Sequence, residues 1–246
     1  MENIIVEHYA GSKMYGTMHE GSDEDVRGVF VVPEYITNTP FYSRDEFEVF
    51  NDGSHEDRQL WELTKFVREV AGCSPSYIES LFVPSSQVIK SSNTYSYLKS
   101  VSDNFITLGL AKGYLGFAES QFEQVLKSFK TKSSPNAKRA ALIEMHGYDT
   151  KNAMHALRAV RMAQEIALTG KVNVFRPDAD ELRKVHVDGY YSYDTFCSIF
   201  FELVAKTTKA ISENHLSLPD KIERDVAAKI LLRAQKRAYG EFQFFV

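Results

Sequence analysis

Asp23 and Asp25 stand one residue apart, directly before the apolar, β-branched run Val26–Val32. Side chains at i and i+2 of a strand share one face, so the two carboxylates are expected to project side by side. Adjacent carboxylates repel one another unless a cation lies between them. Oxygen donors placed this way suit Mg²⁺, which is held by one or two carboxylates and completed by substrate phosphates. Ten residues separate Asp23 from the upstream pair Gly11-Ser12, which follows the strand-like run Ile4–Ala10 and opens a passage containing Gly16 and Gly21. Glycine admits close approach of backbone to a ligand, and a serine hydroxyl with successive backbone N–H groups holds phosphate oxygens. Either element alone is commonplace in surface loops. The combination of strand, Gly-Ser, Ser-Asp-x-Asp and second strand is the layout of a nucleotidyl-transfer site.

Two metal ions about 4 Å apart stabilise both the attacking and the leaving oxygen, and holding two calls for a third carboxylate. Asp57 is the choice here, with Glu56, Asp52 and Glu48 as competitors, and it could equally serve as the N-cap of a helix expected over Arg58–Ala71. Lys151, His155 and Arg158 recur at helical spacing and share one helix face. Facing a cleft, they would grip a triphosphate and offset charge as pyrophosphate departs. Arg161 and Lys151 could equally be no more than solvated surface, the usual use of charges on a helix. Tyr148, Tyr190, Tyr191 and Tyr193 could stack on a base, although packing is their commoner use. Arg27 is expected to turn away from Asp25 and to pair with an acid or support the site. His8 and His19 read as ordinary histidines.

The elements that must position these groups fall into two kinds. Residues 1 to about 90 read as α/β, with strands at Ile4–Ala10 and Val26–Val32, a weaker one at Phe47–Phe50, and helices over Arg58–Ala71 and Ser76–Phe82. From about Ser91 the pattern is helical: Asn104–Lys130 with three internal glycines, a basic linker over Lys127–Arg139, then helices over Asp149–Leu168 (ending at Gly170), 194–212 and 219–238. The expected fold is α+β, a mixed-sheet core over 1–90 followed by a helical bundle over 91–246 that completes the nucleotide and acceptor site. A chain of 246 residues with 43% hydrophobic content allows this. A net charge of −4 gives no global basic field for nucleic acid. Cys73 and Cys197 lack metal or disulfide spacing, the N-terminus does not read as a signal peptide, and no run is long enough to span a bilayer. A cytoplasmic protein, in the host cytoplasm if viral, is expected.

The motifs resemble those of the DNA polymerase β-like nucleotidyltransferase superfamily, and within it the RNA-repair-pathway group of bacterial and phage predicted nucleotidyltransferases. The first block is Gly11, Ser12, Tyr15, Gly16, Ser22, Asp23, Asp25, Arg27, Gly28 and Val29. The second is Asp57, Lys65, Phe66, Pro75, Glu79, Leu81 and Phe82, and the third Gly147, Tyr148, Asp149, Lys151, His155 and Arg158. Glu24 departs from the pattern, because the residue between the aspartates is usually apolar or aromatic.

The resemblance spans about residues 4–195 and implies a polymerase β-like core. It implies two Mg²⁺ ions, with Mn²⁺ as a substitute, on Asp23, Asp25 and Asp57. It also implies an NTP such as ATP bound by Gly11, Ser12, Tyr15, Lys151, His155 and Arg158. The implied acceptor is an RNA 3′ end, with tRNA as an example. The alternatives are transfer of AMP or another NMP to a protein hydroxyl, as in antitoxins of the superfamily, or a silent NTP-binding regulator. No membrane partner is implied, and the sequence does not specify an oligomeric state.

Overall fold

Short apolar runs near the N-terminus, β1 buried at five consecutive positions, form a sheet in the computed structural model, which describes residues 3–37, 39–40, 57–134 and 136–242. The order is β1 (Ile4–Tyr9), α1 (Gly11–Tyr15), β2 (Asp25–Phe30), α2 (Glu34–Thr37), β3 (Asp57–Glu62), α3 (Leu63–Ala71), α4 (Pro75–Phe82) and β4 (Val88–Ser91). Helices follow: α5 (Asn93–Ser100), α6 (Leu108–Thr131), α7 (Ala137–His146), α8 (Thr150–Thr169), α9 (Ala179–Val187), α10 (Tyr193–Glu213) and α11 (Arg224–Phe242). The four strands lie in the order β3-β2-β1-β4. β1 runs antiparallel to β2 and β4, and β2 runs parallel to β3. The sheet is mixed and helices dominate the later chain, which makes the fold α+β as expected.

The expected helix over Arg58–Ala71 divides into β3 and α3. Leu60 fits a helical period with Leu63 and Val67, yet it belongs to a strand because β2 offers a parallel partner, and tertiary pairing overrides local period. Arg58 is buried and bonds Glu7 at 2.6 Å, and Lys90 of β4 holds the other Glu7 oxygen at 3.1 Å. The N-cap of α3 is therefore Glu62, which accepts from the Thr64 and Lys65 N–H groups at 2.8 and 3.1 Å, and not Asp57. β2 begins at Asp25 and stops at Phe30. Val31 and Val32 are still buried, and the Val31 N–H donates to the Asn3 carbonyl at 3.0 Å. The expected strand Phe47–Phe50 and the alternative acids Glu48, Asp52 and Glu56 lie outside the described residues.

Packing divides the chain into two units, Met1–Phe105 with Lys221–Val246, and Ile106–Asp220. The boundary expected near residue 90 thus falls inside the first unit. α11 packs there against α5 and α3. Glu241 caps α5, accepting from the Asn93 and Thr94 N–H groups at 2.9 and 3.1 Å and from the Thr94 hydroxyl at 3.0 Å.

In the second unit α8 is buried along most of its length and packs on α6, α9 and α10. α6 runs unbroken through Gly109, Gly113 and Gly116, and a methyl at Gly116 would meet open space, so that glycine marks neither an interruption nor a close approach. The expected linker Lys127–Arg139 is mostly helical, shared between the end of α6 and the start of α7. Both α7 and α9 are short and largely polar on their surfaces, which is why periodicity did not mark them. α11 starts beyond Pro219, whose carbonyl accepts from the Leu108 N–H at 2.9 Å. Arg161 bonds Asp178 and Glu181, each at 2.6 Å, so it fastens α9 and its lead-in to α8 instead of being free surface charge. Among the described residues no helix is long and apolar enough to cross a membrane.

Candidate functional site

The sheet register decides which carboxylates meet. Asp25 and Asp57 are Cα partners at the first position of the parallel β2–β3 ladder, so their side chains leave one face of the sheet side by side. Asp23 lies two residues before the strand, in an exposed connecting segment. The pleat argument made for Asp23 and Asp25 therefore applies to Asp25 and Asp57. Arg27 lies two positions along β2 from Asp25 and shares its face. Its Nη2 donates to Asp57 Oδ2 at 3.1 Å, and its Nη1 donates to the Val26 and Asp57 carbonyls at 3.1 and 3.4 Å. The expected pairing with an acid holds, while the expected direction does not, because i and i+2 alternate back to the same side.

The Gly-Ser turn abuts this pair. A Cβ built on Gly11 would overlap the Asp25 carboxylate, and the Gly11 backbone has φ +56°, a region that favours glycine. The Ala10 N–H donates to the Asp25 carbonyl at 2.8 Å. Lys13 bonds Glu24 at 3.0 Å and lies 3.2 Å above the Tyr9 ring, tying α1 to the segment before β2. Ser22 closes the turn before Asp23, accepting from the His19 N–H at 3.0 Å. Ser12 is half-buried on α1. Tyr15 is buried, and its hydroxyl donates to Glu79 of α4 at 2.6 Å. Tyr15 and Glu79, one from each of the first two motifs, thus lock the Gly-Ser turn onto α4.

A parallel tie lies beside it. His8 Nδ1 donates to the Tyr9 carbonyl at 2.8 Å, which leaves Nε2 to accept from the Ser80 hydroxyl at 2.9 Å. Burial first, reinforced by the Arg27 charge, pushes the His8 pKa down to about 4. The ring is therefore a neutral strut at pH 7.

In the second unit the third motif splits into a mount and a stripe. Gly147 ends α7 in the left-handed region at φ 83°. Tyr148 is buried, and its hydroxyl donates to the Tyr191 carbonyl at 2.7 Å. Asp149 caps α8, accepting from the Asn152 N–H at 2.9 Å, while Arg139 bonds the Asp149 carboxylate at 3.0 Å. This mount sets the start of the helix that carries Lys151, His155 and Arg158. Lys151 is half-exposed and Arg158 buried. Burial first, then the charges of Arg158, Lys151, Arg139 and His186, hold the His155 pKa well below the ordinary histidine range. Its Nδ1 is shielded from solvent and has no hydrogen-bond partner among the described residues. The cations of the stripe are thus Lys151 and Arg158, with His155 a neutral polar group between them. Tyr148 and Tyr193 serve packing, Tyr193 lying 3.6 Å from the Phe129 ring, and Tyr191 donates to Glu181 at 2.8 Å. Tyr190 is exposed.

Among the described residues no three His, Cys, Asp or Glu side chains stand grouped to hold a metal. What the fold brings together is the pair Asp25 and Asp57, beside a glycine whose missing side chain leaves room for the Asp25 carboxylate. These hard oxygen donors fit Mg²⁺ in its usual mode, with one or two carboxylates and the rest of the shell from water and phosphate. Sequence reasoning did not find Glu79, Ser80 and His8 as supports. The only available signal was the recurrence of Glu79 within the second motif.

The sequence profile of the RNA repair pathway DNA polymerase beta family matches residues 2–185. An uncharacterised 38.9 kDa protein from the nrdC-mobD intergenic region of Enterobacteria phage T4 is 27% identical over 125 residues, covering 48% of this chain and 37% of that protein. The chain thus aligns with well under half of that relative's length. No solved structure matches significantly. With a profile match that takes in the strands of the sheet, the Gly-Ser turn, Asp25, Asp57 and the α8 stripe, the chain belongs to the RNA repair pathway DNA polymerase beta family.

Proposed function

We propose that this protein is a Mg²⁺-dependent nucleotidyltransferase that moves NMP from an NTP to an acceptor hydroxyl and releases pyrophosphate. The observation that carries this reading is the register pairing of Asp25 with Asp57 against Gly11. Asp25 and Asp57 hold the metal, Asp23 joins them from the segment before β2 when the ion is bound, and Asp57 assists removal of the acceptor proton. When bound there, the metal supplies charge stabilisation at the attacking and leaving oxygens. Gly11 and Ser12 bind the outer phosphates, and Tyr15 acts at the same turn. Lys151 and Arg158 neutralise polyphosphate charge, with His155 as their neutral hydrogen-bonding companion. The acceptor oxygen bonds to the α-phosphorus, the bond to the bridging oxygen breaks, and pyrophosphate carries away the electron pair.

An RNA 3′ end, as in tRNA, is the acceptor that the family's description favours. A net charge of −4 favours a protein hydroxyl as the second reading. The test is incubation with labelled NTP, Mg²⁺, total RNA and total protein, followed by RNase or protease. Label lost to RNase and kept through protease supports the RNA acceptor, and the reverse supports the protein. Asp23→Asn with Asp25→Asn is expected to lower labelling at least about a thousandfold. Full labelling by that double variant would refute the metal assignment.

A further inference from the structure

Arg27 lies on β2 next to the register-paired acids. It shares a sheet face with Asp25, and its guanidinium donates to the Asp57 carboxylate at 3.1 Å. The register sets Asp57 directly beside Asp25, so an unneutralised pair would carry two adjacent negative charges. Two kinds of cation can relieve that repulsion, a guanidinium or a divalent ion. The Asp57 oxygen that faces Arg27 is already engaged as an acceptor. A divalent ion that draws Asp57 toward Asp25 must compete with that bond.

The geometry points to Arg27 as the resident counter-ion of Asp57, a gate that makes divalent-cation binding depend on the nucleotide. With no nucleotide, Asp57 stays paired with the Arg27 guanidinium. With a triphosphate present, its phosphate oxygens would help hold the ion, and Asp57 would give up the Arg27 guanidinium to serve as a ligand. Arg27 is a positioning residue in this scheme, because it acts through Asp57. The contact is partly open to solvent, with Arg27 24% and Asp57 55% exposed, so the gate is a light one. It is also built to move, since breaking an exposed ion pair has a small cost. The inference rests on the proposed metal role of Asp25 and Asp57.

The test is Mn²⁺ binding followed by electron paramagnetic resonance, with and without a non-hydrolysable ATP analogue. Wild-type protein is expected to bind Mn²⁺ weakly alone and more tightly with the analogue. Arg27→Gln is expected to tighten nucleotide-free Mn²⁺ binding about fivefold and to narrow the gap between the two conditions. Arg27→Lys, which keeps the charge but loses the fork, is expected to fall between them and guards against a folding defect in the first variant. Unchanged or weaker nucleotide-free binding in Arg27→Gln, with circular dichroism matching wild type, overturns the gate while leaving the metal site standing. Mn²⁺ binding that Asp25→Asn does not alter overturns the metal assignment itself, and the gate with it.

Discussion

The acidic corner of the first unit and the basic stripe of the second are built on opposite principles. Asp25 and Asp57 stand at the first residues of two strands, half-open to solvent, and reach their partners through a sheet register. Lys151, His155 and Arg158 ride on α8, a helix buried along most of its length whose start is fastened by Gly147, Tyr148, Asp149 and Arg139. Asp57 is held by Arg27 in an ion pair partly open to solvent, a kind of contact that costs little to break. Of the three stripe residues, Arg158 is buried and His155, its Nδ1 shielded from solvent, stays neutral, while Lys151 is half-exposed. Solvent-open strand ends suit the exchange of counter-ions, and a packed helix suits the display of fixed charge.

The contrast can be broken at its tightest point first. Gly11→Ala puts a methyl group where the Asp25 carboxylate lies and forces alanine to φ +56°. Displacing that carboxylate by about 1 Å is expected to lower turnover about a hundredfold, with about 1 kcal/mol of stability lost to the left-handed backbone. Steady-state kinetics and chemical denaturation check both, and wild-type kinetics would mean that the Gly-Ser turn does not set the carboxylate. The stripe is sharpened by Lys151→Ala. Because Lys151 is half-exposed, its removal is expected to leave the melting temperature within about 1 °C and to raise the KM for NTP about tenfold. A loss of stability without a change in KM would make the stripe structural.

The smallest effect concerns His8. Its folded pKa of about 4 lies below the ordinary 6.5, so the unfolded chain binds the extra proton between those values. The stability contribution of the neutral ring is full above about pH 6.5 and is lost progressively as pH falls toward 4. His155 acts with the same sign. Urea unfolding at pH 7 and pH 5 is expected to show stability falling on acidification, with His8→Gln removing up to about 1.4 kcal/mol per pH unit of that slope. An unchanged slope would mean that His8 is not buried neutral.

Much of the layout was legible because it is local. The strand after Ile4, the helix capped by Asp149 and ended by Gly170, and the short helix after Pro75 follow from period and capping chemistry. β3 was misread because Leu60 satisfies the helical period shared by Leu63 and Val67, and only the free parallel edge of β2 distinguishes the two outcomes. Glu62, a capping carboxylate inside an apolar run, gave no sign of ending one element and starting another. The Tyr15–Glu79 and His8–Ser80 ties join residues far apart in the chain, so no local pattern could expose them.

From the chain alone one could determine the chemistry on offer: hard oxygen donors beside a glycine turn, and a cationic helix face at fixed spacing. Only the tertiary structure decided that Asp57 sits level with Asp25, that Arg27 neutralises it, and that α11 returns to the first unit. The reason is physical. Spacing along a helix or strand is a property of covalent geometry, whereas a parallel register and the fate of a buried charge depend on which distant segments compete to pair.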